Sequence, residues 1–140
     1  MNSLADDIKN ILVDDGVLDG TPSNRWGANI GDLPSSPDKC VMFEDSPGAN
    51  PIYLMDGTAI YQPKTQATIR SDTYISSYSK CQEIIKSLEM RNLNEDIDSS
   101  NNSVYWMIKQ VSPISYFGRD EKSRFLFVTS FQVQRHEEGD

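Results

Sequence analysis

The chain has 140 residues, of which 37 % are hydrophobic and 24 % are charged, and its net charge is −8 at pH 7. This length and composition predict one globular domain, residues 1–140, with a single core. No window approaches the ~20 apolar residues of a membrane span, and the absence of a basic run argues against duplex binding as the main function. The N-terminus lacks the pattern of a signal peptide, so synthesis in the cytoplasm is expected.

An amphipathic helix that begins after Ser3 is the first predicted element. Ser3 is a suitable N-cap and Gly16 is a suitable stop. The apolar residues between them recur on one helix face: Leu4, Ile8, Ile11 and Leu12. This spacing predicts that one side of the helix packs on the core.

A long N-terminal loop is predicted over residues 16–38, where glycine and proline are frequent and no period is visible. Loops longer than about 15 residues are uncommon in compact domains and are usually functional. Arg25 and Trp26 lie at its centre, and both residue types are frequent anchors of protein interfaces. Packing of Trp26 back onto its own core is the alternative interpretation.

Two strands are predicted at residues 40–44 and 51–55, joined by the turn-forming sequence DSPGAN. Strand character resumes after Gly57 and continues to Arg70. In its last part, Ala67 and Ile69 share one face of the predicted strand.

The second predicted helix begins near Ser71 or Asp72 and ends at about Met90. Its apolar stripe consists of Tyr74, Tyr78, Cys81, Ile84, Ile85 and Leu88. A stripe of this width is typical of a helix that covers a sheet.

The last third of the chain predicts a polar break over residues 92–102 and strands over 104–111 and from Phe125 onward. In the final strand, alternate apolar residues predict a half-buried antiparallel strand. The complete order predicts an α+β fold, in which a mostly antiparallel sheet carries two main helices on one face.

Nothing in the sequence predicts catalysis, a cofactor or a metal site. Cys40 and Cys81 are far apart and are expected to be reduced, buried thiols. His136 lies in an acidic C-terminal run that is typical of a solvated tail. Phosphate-loop and nucleophile-elbow motifs are absent.

The sequence GRDEKSR, residues 118–124, predicts a charged hairpin turn before the last strand. Two interpretations are open for Arg119 and Arg124, which flank it. They can form weak ion pairs on an exposed tip. They can also contact a neighbouring subunit, because arginine pairs bidentately with carboxylates.

Two segments resemble the tail terminator and minor capsid proteins of long-tailed, siphovirus-like bacteriophages. They are YQPKTQATIRSDTYISSYSKCQEIIKSL, residues 61–88, and YFGRDEKSRFLFVTSFQVQR, residues 116–135. The features that carry the resemblance are Arg70, Tyr74, Tyr78, Gly118, Arg119, Asp120, Arg124 and Arg135. The resemblance covers about residues 40–135 and does not include the loop 16–38.

This resemblance implies a structural virion protein at the neck, where a ring, usually of six copies, caps the tail tube and receives the filled head. The implied partners are further copies of the chain, the tail tube protein, a head-side neck or connector protein, and genomic DNA that passes without specific binding. A ring channel lined by acidic side chains would repel the phosphates of this DNA and so would not hold it. Candidate interface residues are then Arg25, Trp26, Arg70, Arg119, Asp120 and Arg124.

Other functions fit the same residues. A head-completion or stopper protein would also be structural but would occupy another ring of the neck. A monomeric binding or regulatory domain is the alternative outside the virion.

Overall fold

The computed structural model of the protein describes residues 3–19, 26–31, 33–34, 38–89 and 103–137. The elements in chain order are α1 (Leu4–Asp14), β1 (Gly27–Ile30), β2 (Cys40–Tyr53), β3 (Ala59–Ser71), α2 (Tyr74–Glu89), β4 (Ser103–Arg119) and β5 (Phe125–Glu137). The five strands form one sheet in the order β1-β2-β3-β5-β4. All neighbouring pairs are antiparallel except β1 with β2. The predicted α+β class is therefore confirmed.

Helix α1 begins and ends where the sequence predicts. The Ser3 hydroxyl accepts a hydrogen bond from the Asp6 N–H at 3.3 Å, which satisfies one of the free donors of the first turn. Gly16 follows the helix with φ +76°, a conformation that glycine adopts without steric cost. The predicted apolar face is buried to 1 % exposure or less.

The core lies between the two helices and one face of the sheet. Strand pairing places Val41 beside Ile69 and Phe43 beside Ala67, so alternate residues of neighbouring strands face the helices together. The sheet contributes Val41, Phe43, Ala67, Ile69, Phe131 and Val133, and α2 contributes Cys81, Ile84 and Leu88. The predicted alternation of β5 is therefore confirmed.

A buried ion pair joins α1 to the last strand. The Arg135 guanidinium donates to the Asp7 carboxylate at 3.0 Å, and Asp7 has no solvent exposure. A buried charge is tolerated only when it is paired and hydrogen-bonded, so this contact restricts how α1 can dock on the sheet. It connects residues 128 positions apart in the chain.

Part of the predicted long loop is a strand. Residues 27–30 pair in parallel with β2, from Gly27 beside Cys40 to Ile30 beside Phe43. The sequence GANI has neither alternation nor β-branched residues until its last position, so the pattern does not predict a strand. Pairing along the edge of β2 stabilises it instead.

The separation of residues 40–44 and 51–55 into two strands was wrong. Strand β2 is continuous, and shifts of register between Ser46 and Ala49 and between Ala49 and Ile52 absorb the turn-forming residues. Gly48 lies so close to β3 that a Cβ atom there would collide with the Gln62 carbonyl oxygen. The turn chemistry of this segment therefore produces bulges in a long hairpin rather than a reversal of the chain.

Strand β4 is likewise continuous from Ser103 to Arg119, so it extends well beyond the predicted strand at 104–111. Helix α2 begins at Tyr74, and Ser77, Cys81, Ile84 and Leu88 form its buried face. Tyr74 and Tyr78, which the sequence assigned to the core stripe, are half-exposed at its margin. The predicted polar break at 92–102 lies outside the described residues.

Truncation of Leu88 tests the packing of α2 on the sheet. Leu88 is fully buried, so Leu88→Ala should lower the free energy of unfolding by about 2–5 kcal/mol. Ile75→Ala is the matched control on the same helix, because Ile75 is 77 % exposed and its truncation should change stability by less than about 0.5 kcal/mol. Equal denaturation midpoints for the two variants would contradict this packing.

The two cysteines should be inert in the folded protein. Cys40 and Cys81 are free and buried, and burial raises the pKa of both thiols, that of Cys81 to about 12. Alkylation at pH 8 followed by intact mass measurement should therefore modify neither thiol before unfolding and both after it. A two-proton mass deficit, or rapid modification of the native protein, would be inconsistent with buried thiols.

Candidate subunit interface

The turn between β4 and β5 is organised by the carboxylate of Asp120. One oxygen accepts hydrogen bonds from the backbone N–H groups of Lys122 at 3.0 Å and Arg124 at 2.9 Å. The backbone N–H of Asp120 donates in turn to the carbonyl of Arg124 at 3.0 Å. Gly118 before the turn has φ +88°, and Ser123 within it has φ 61°. The predicted hairpin is confirmed, and its conformation is fixed from within.

Arg124 is a buried residue of this turn and not an exposed flank. Its guanidinium pairs with the second oxygen of Asp120, with both N···O distances at 2.8 Å, and reaches Asp38 at 3.3 Å. Arg70 is 2 % exposed, and its Nε donates to the backbone carbonyl of Asp38 at 3.2 Å. Two buried arginines therefore hold the residue that lies two positions before β2.

Burial and charge act in opposite directions on the pKa values of these groups. Burial raises the pKa of Asp120, but hydrogen bonds from Arg124 and Lys122 outweigh it, so the pKa lies below its usual value. Burial tends to lower the pKa of Arg124, and the carboxylates of Asp120 and Asp38 raise it above its usual value. Burial lowers the pKa of Arg70. The Asp120–Arg124 pair is thus ionised near neutral pH.

The structure separates the predicted interface residues into two groups. Arg70 and Arg124 bind partners within the same chain, and the carboxylate of Asp120 pairs with Arg124. Arg119 is exposed, and its guanidinium carbon lies 4.5 Å from the centroid of the Phe125 ring. A contact of these side chains with a neighbouring subunit stays a prediction. Arg119 is the best placed of them to make one, because its side chain is exposed.

The other two predicted residues lie in or beside the N-terminal loop. Arg25 is outside the described residues. Trp26 is partly buried against the core, and the Lys80 ammonium lies 5.4 Å from the centroid of its ring. Lys80 also donates to the Val17 carbonyl at 3.0 Å. These contacts favour the interpretation in which Trp26 packs on its own domain.

An aromatic cluster lies where α2 begins, and the sequence analysis did not identify it as a surface. It consists of Tyr74, Tyr78, Tyr116, Phe125 and Phe127. The Tyr74 ring is 5.4 Å from Tyr116, 5.9 Å from Phe125 and 4.9 Å from Phe127, mostly in edge-to-face contacts. Tyr74 and Tyr116 are nevertheless 47 % and 46 % exposed, and Ile75 beside them is more exposed. The cluster therefore presents rigid aromatic surface to solvent.

A second exposed apolar surface lies at the end of the β2–β3 hairpin. This arm tip consists of Ile52, Tyr53, Leu54 and Met55. Tyr53 is 70 % exposed and Met55 is fully exposed. The sequence offered a signal, since PIYLM is an apolar run beside the turn formers Asp56 and Gly57. Monomeric proteins rarely leave such patches uncovered, so each surface is a candidate interface.

The described part of the chain offers little for other chemistry. Within residues 3–19, 26–31, 33–34, 38–89 and 103–137, no group of three or more His, Cys, Asp or Glu side chains is placed to hold a metal ion. Neither helix of these segments has the length and apolarity that a bilayer span requires.

Comparison with known proteins identifies the class to which this fold and these surfaces belong. A family profile described as "Bacteriophage tail terminator protein" matches residues 7–137. The chain therefore belongs to the bacteriophage tail terminator family, and it is a structural component of the virion. Membership implies a non-enzymatic role.

A solved structure shows the same fold. A chain from "Virion of native gene transfer agent (GTA) particle" superposes with a TM-score of 0.64 at 13 % sequence identity. The alignment covers 96 % of this chain and 95 % of that one. A comparison with curated proteins gave no match.

The charge of Asp120 should stabilise the fold in a pH-dependent way. Because its folded pKa is lowered, its contribution is fully present above its unfolded pKa of about 3.9 and is lost as the pH falls through the folded value. Asp120→Asn should therefore lower the melting temperature at pH 7, and the difference from wild type should shrink below about pH 4.

The exposed neighbour Glu121 provides the control, because Glu121→Gln changes the same charge in the same turn without removing a partner of Arg124. Its melting temperature should follow the wild type at both pH values. A difference for Asp120→Asn that is as large at pH 3 as at pH 7 would rule out an electrostatic contribution.

Proposed function

We propose that this protein forms a closed ring, of about six copies, at the end of the phage tail tube. The ring stops polymerisation of the tube and provides the surface to which the filled head attaches. The observation that carries this proposal is the match to the tail terminator family over residues 7–137. Further copies of the chain, the tube protein and a head-side neck protein are its partners.

The two exposed apolar surfaces support assembly into a ring. A closed ring uses heterologous contacts, so each subunit must present two different surfaces to its neighbours. The arm tip and the aromatic cluster are two such surfaces, and neither is covered by the described part of the chain. A monomeric protein would leave both apolar surfaces exposed to water, which is unfavourable.

Contact with the tube or the head-side protein fits the edges of the sheet. Strands β1 and β4 are the two outer strands of the described sheet; Asp19 already bridges β1 at Gly27, whereas β4 is 17 residues long. Exposed strand edges offer unpaired backbone groups and are an aggregation risk unless another chain covers them. Docking in the virion would cover them.

The net charge supports passage of DNA through the ring. At −8 the chain repels phosphates, so an acidic channel would let the genome pass without holding it.

A nonsense mutation in the gene, examined by negative-stain microscopy, tests the proposal. It should give filled heads without tails beside tail tubes of uncontrolled length, because nothing stops the addition of tube subunits. The wild-type gene supplied in trans is the control and should restore joined particles with uniform tails. Normal-length tails already joined to heads would contradict the proposal. Normal-length tails detached from leaking heads would assign the protein to the head-side stopper position instead.

A further inference from the structure

We propose that the arm tip of one subunit packs on the aromatic cluster of the next subunit, with Asp56 of the first beside Arg119 of the second. This contact rests on the proposed ring and specifies which surfaces form it. Four observations support it: the positions of the two surfaces, their chemistry, their flanking charges and the order of the tip.

The two surfaces lie at opposite ends of the same sheet. Strand β3 starts at Ala59, four residues after Met55 of the arm tip, and ends at Ser71, which pairs with Phe125 of the aromatic cluster. Its 13 residues span roughly 40 Å at a rise of about 3.3 Å per residue. The two surfaces therefore cannot cover each other within one chain. Contact between the opposite ends of two copies is the head-to-tail arrangement that generates a ring.

The chemistry of the two surfaces is complementary. The tip carries flexible aliphatic side chains and one tyrosine, whereas the cluster presents half-exposed aromatic rings held by one another. Methionine makes favourable contacts with aromatic rings through its sulfur, and Met55 is the most exposed of the large hydrophobic residues in the described part of the chain. A buried aromatic and aliphatic centre with a polar rim is the usual construction of a protein interface.

Opposite charges flank the two surfaces. Asp56 follows Met55 in the turn of the arm and is exposed. Hydrogen bonds from Thr58 lower its pKa, so the carboxylate is ionised near neutral pH. Arg119 lies on the Phe125 ring at the border of the cluster. Contact between two arm tips would instead bring two Asp56 carboxylates together, so the charges favour the tip-to-cluster contact.

Hydrogen bonds within one chain hold the turn at the arm tip. The Leu54 N–H donates to the Thr58 carbonyl at 2.9 Å, and the Gly57 N–H donates to the Leu54 carbonyl at 2.9 Å. The Asp56 carboxylate accepts from the Thr58 N–H at 2.9 Å. A preformed turn loses little conformational freedom on docking, which favours binding.

Charge reversal in the particle tests the polar part of this contact. Asp56→Arg and Arg119→Asp, each supplied in trans to the nonsense mutant, should each lower incorporation into particles by about tenfold or more, since like charges then face each other. The double variant should recover most of the loss. Circular dichroism of each purified variant should match wild type. If incorporation of the double variant is lowered by the product of the two single losses, the pairing of Asp56 with Arg119 is overturned.

Disulfide trapping tests the packing itself. Met55→Cys combined with Ile75→Cys places one exposed thiol on the arm tip and one beside Tyr74 of the aromatic cluster, while Cys40 and Cys81 stay buried. Oxidised particles should give a ladder of linked copies on a non-reducing gel. Met55→Cys combined with Asn10→Cys, an exposed position on α1, is the control and should give no ladder.

The outcomes of this experiment separate the contact from the ring. Dimers from Met55→Cys alone would show tip-to-tip packing and overturn the proposal. No ladder in particles with normal tails would also overturn it, while the terminator function would stand. The nonsense mutant tests the terminator function independently: tails of normal length in that mutant would contradict it.

Discussion

Two buried arginines at one end of the sheet determine the arrangement on which the rest of the structure depends. Arg70 alternates with the core residue Ile69, and so lies on the face away from the helices. With Arg124 it binds Asp38, and Arg124 also binds Asp120. A guanidinium without partners at this depth would be strongly destabilising. The start of β2, the end of β3 and the β4–β5 turn are therefore held together.

The aromatic cluster follows from that constraint. Ser71 ends β3 directly after Arg70, and α2 begins at Tyr74, so the position of the strand end sets the position of the first helical turn. Phe125 follows Arg124 directly and faces Tyr74. The other end of the sheet has a different character, since the β2–β3 hairpin extends through bulges to an apolar tip. One end of the subunit is internally fixed and aromatic, and the other projects.

The parts of the fold that local pattern determines were predictable from the sequence. The capped helix α1, the alternation of β5 and the GRDEKSR turn each depend on neighbouring residues alone. The strand at GANI and the continuity of β2 depend on pairing with distant residues. The local sequence pattern therefore predicted a loop at the first place and a turn at the second. Burial of Arg70 and Arg124 was not predictable either, because their partner Asp38 is remote in sequence. The apolar run PIYLM was visible, but its exposure required the path of the hairpin.

An image reconstruction of the intact particle at side-chain resolution measures the central claim most directly, because it gives the position and the symmetry of this chain together. The account predicts a closed ring at the head end of the tail tube. In that ring, Met55 of each subunit lies against Tyr74 and Tyr116 of the next. Density for the chain at another place in the particle would contradict the account. Copies at the head end of the tail tube that do not contact one another would also contradict it.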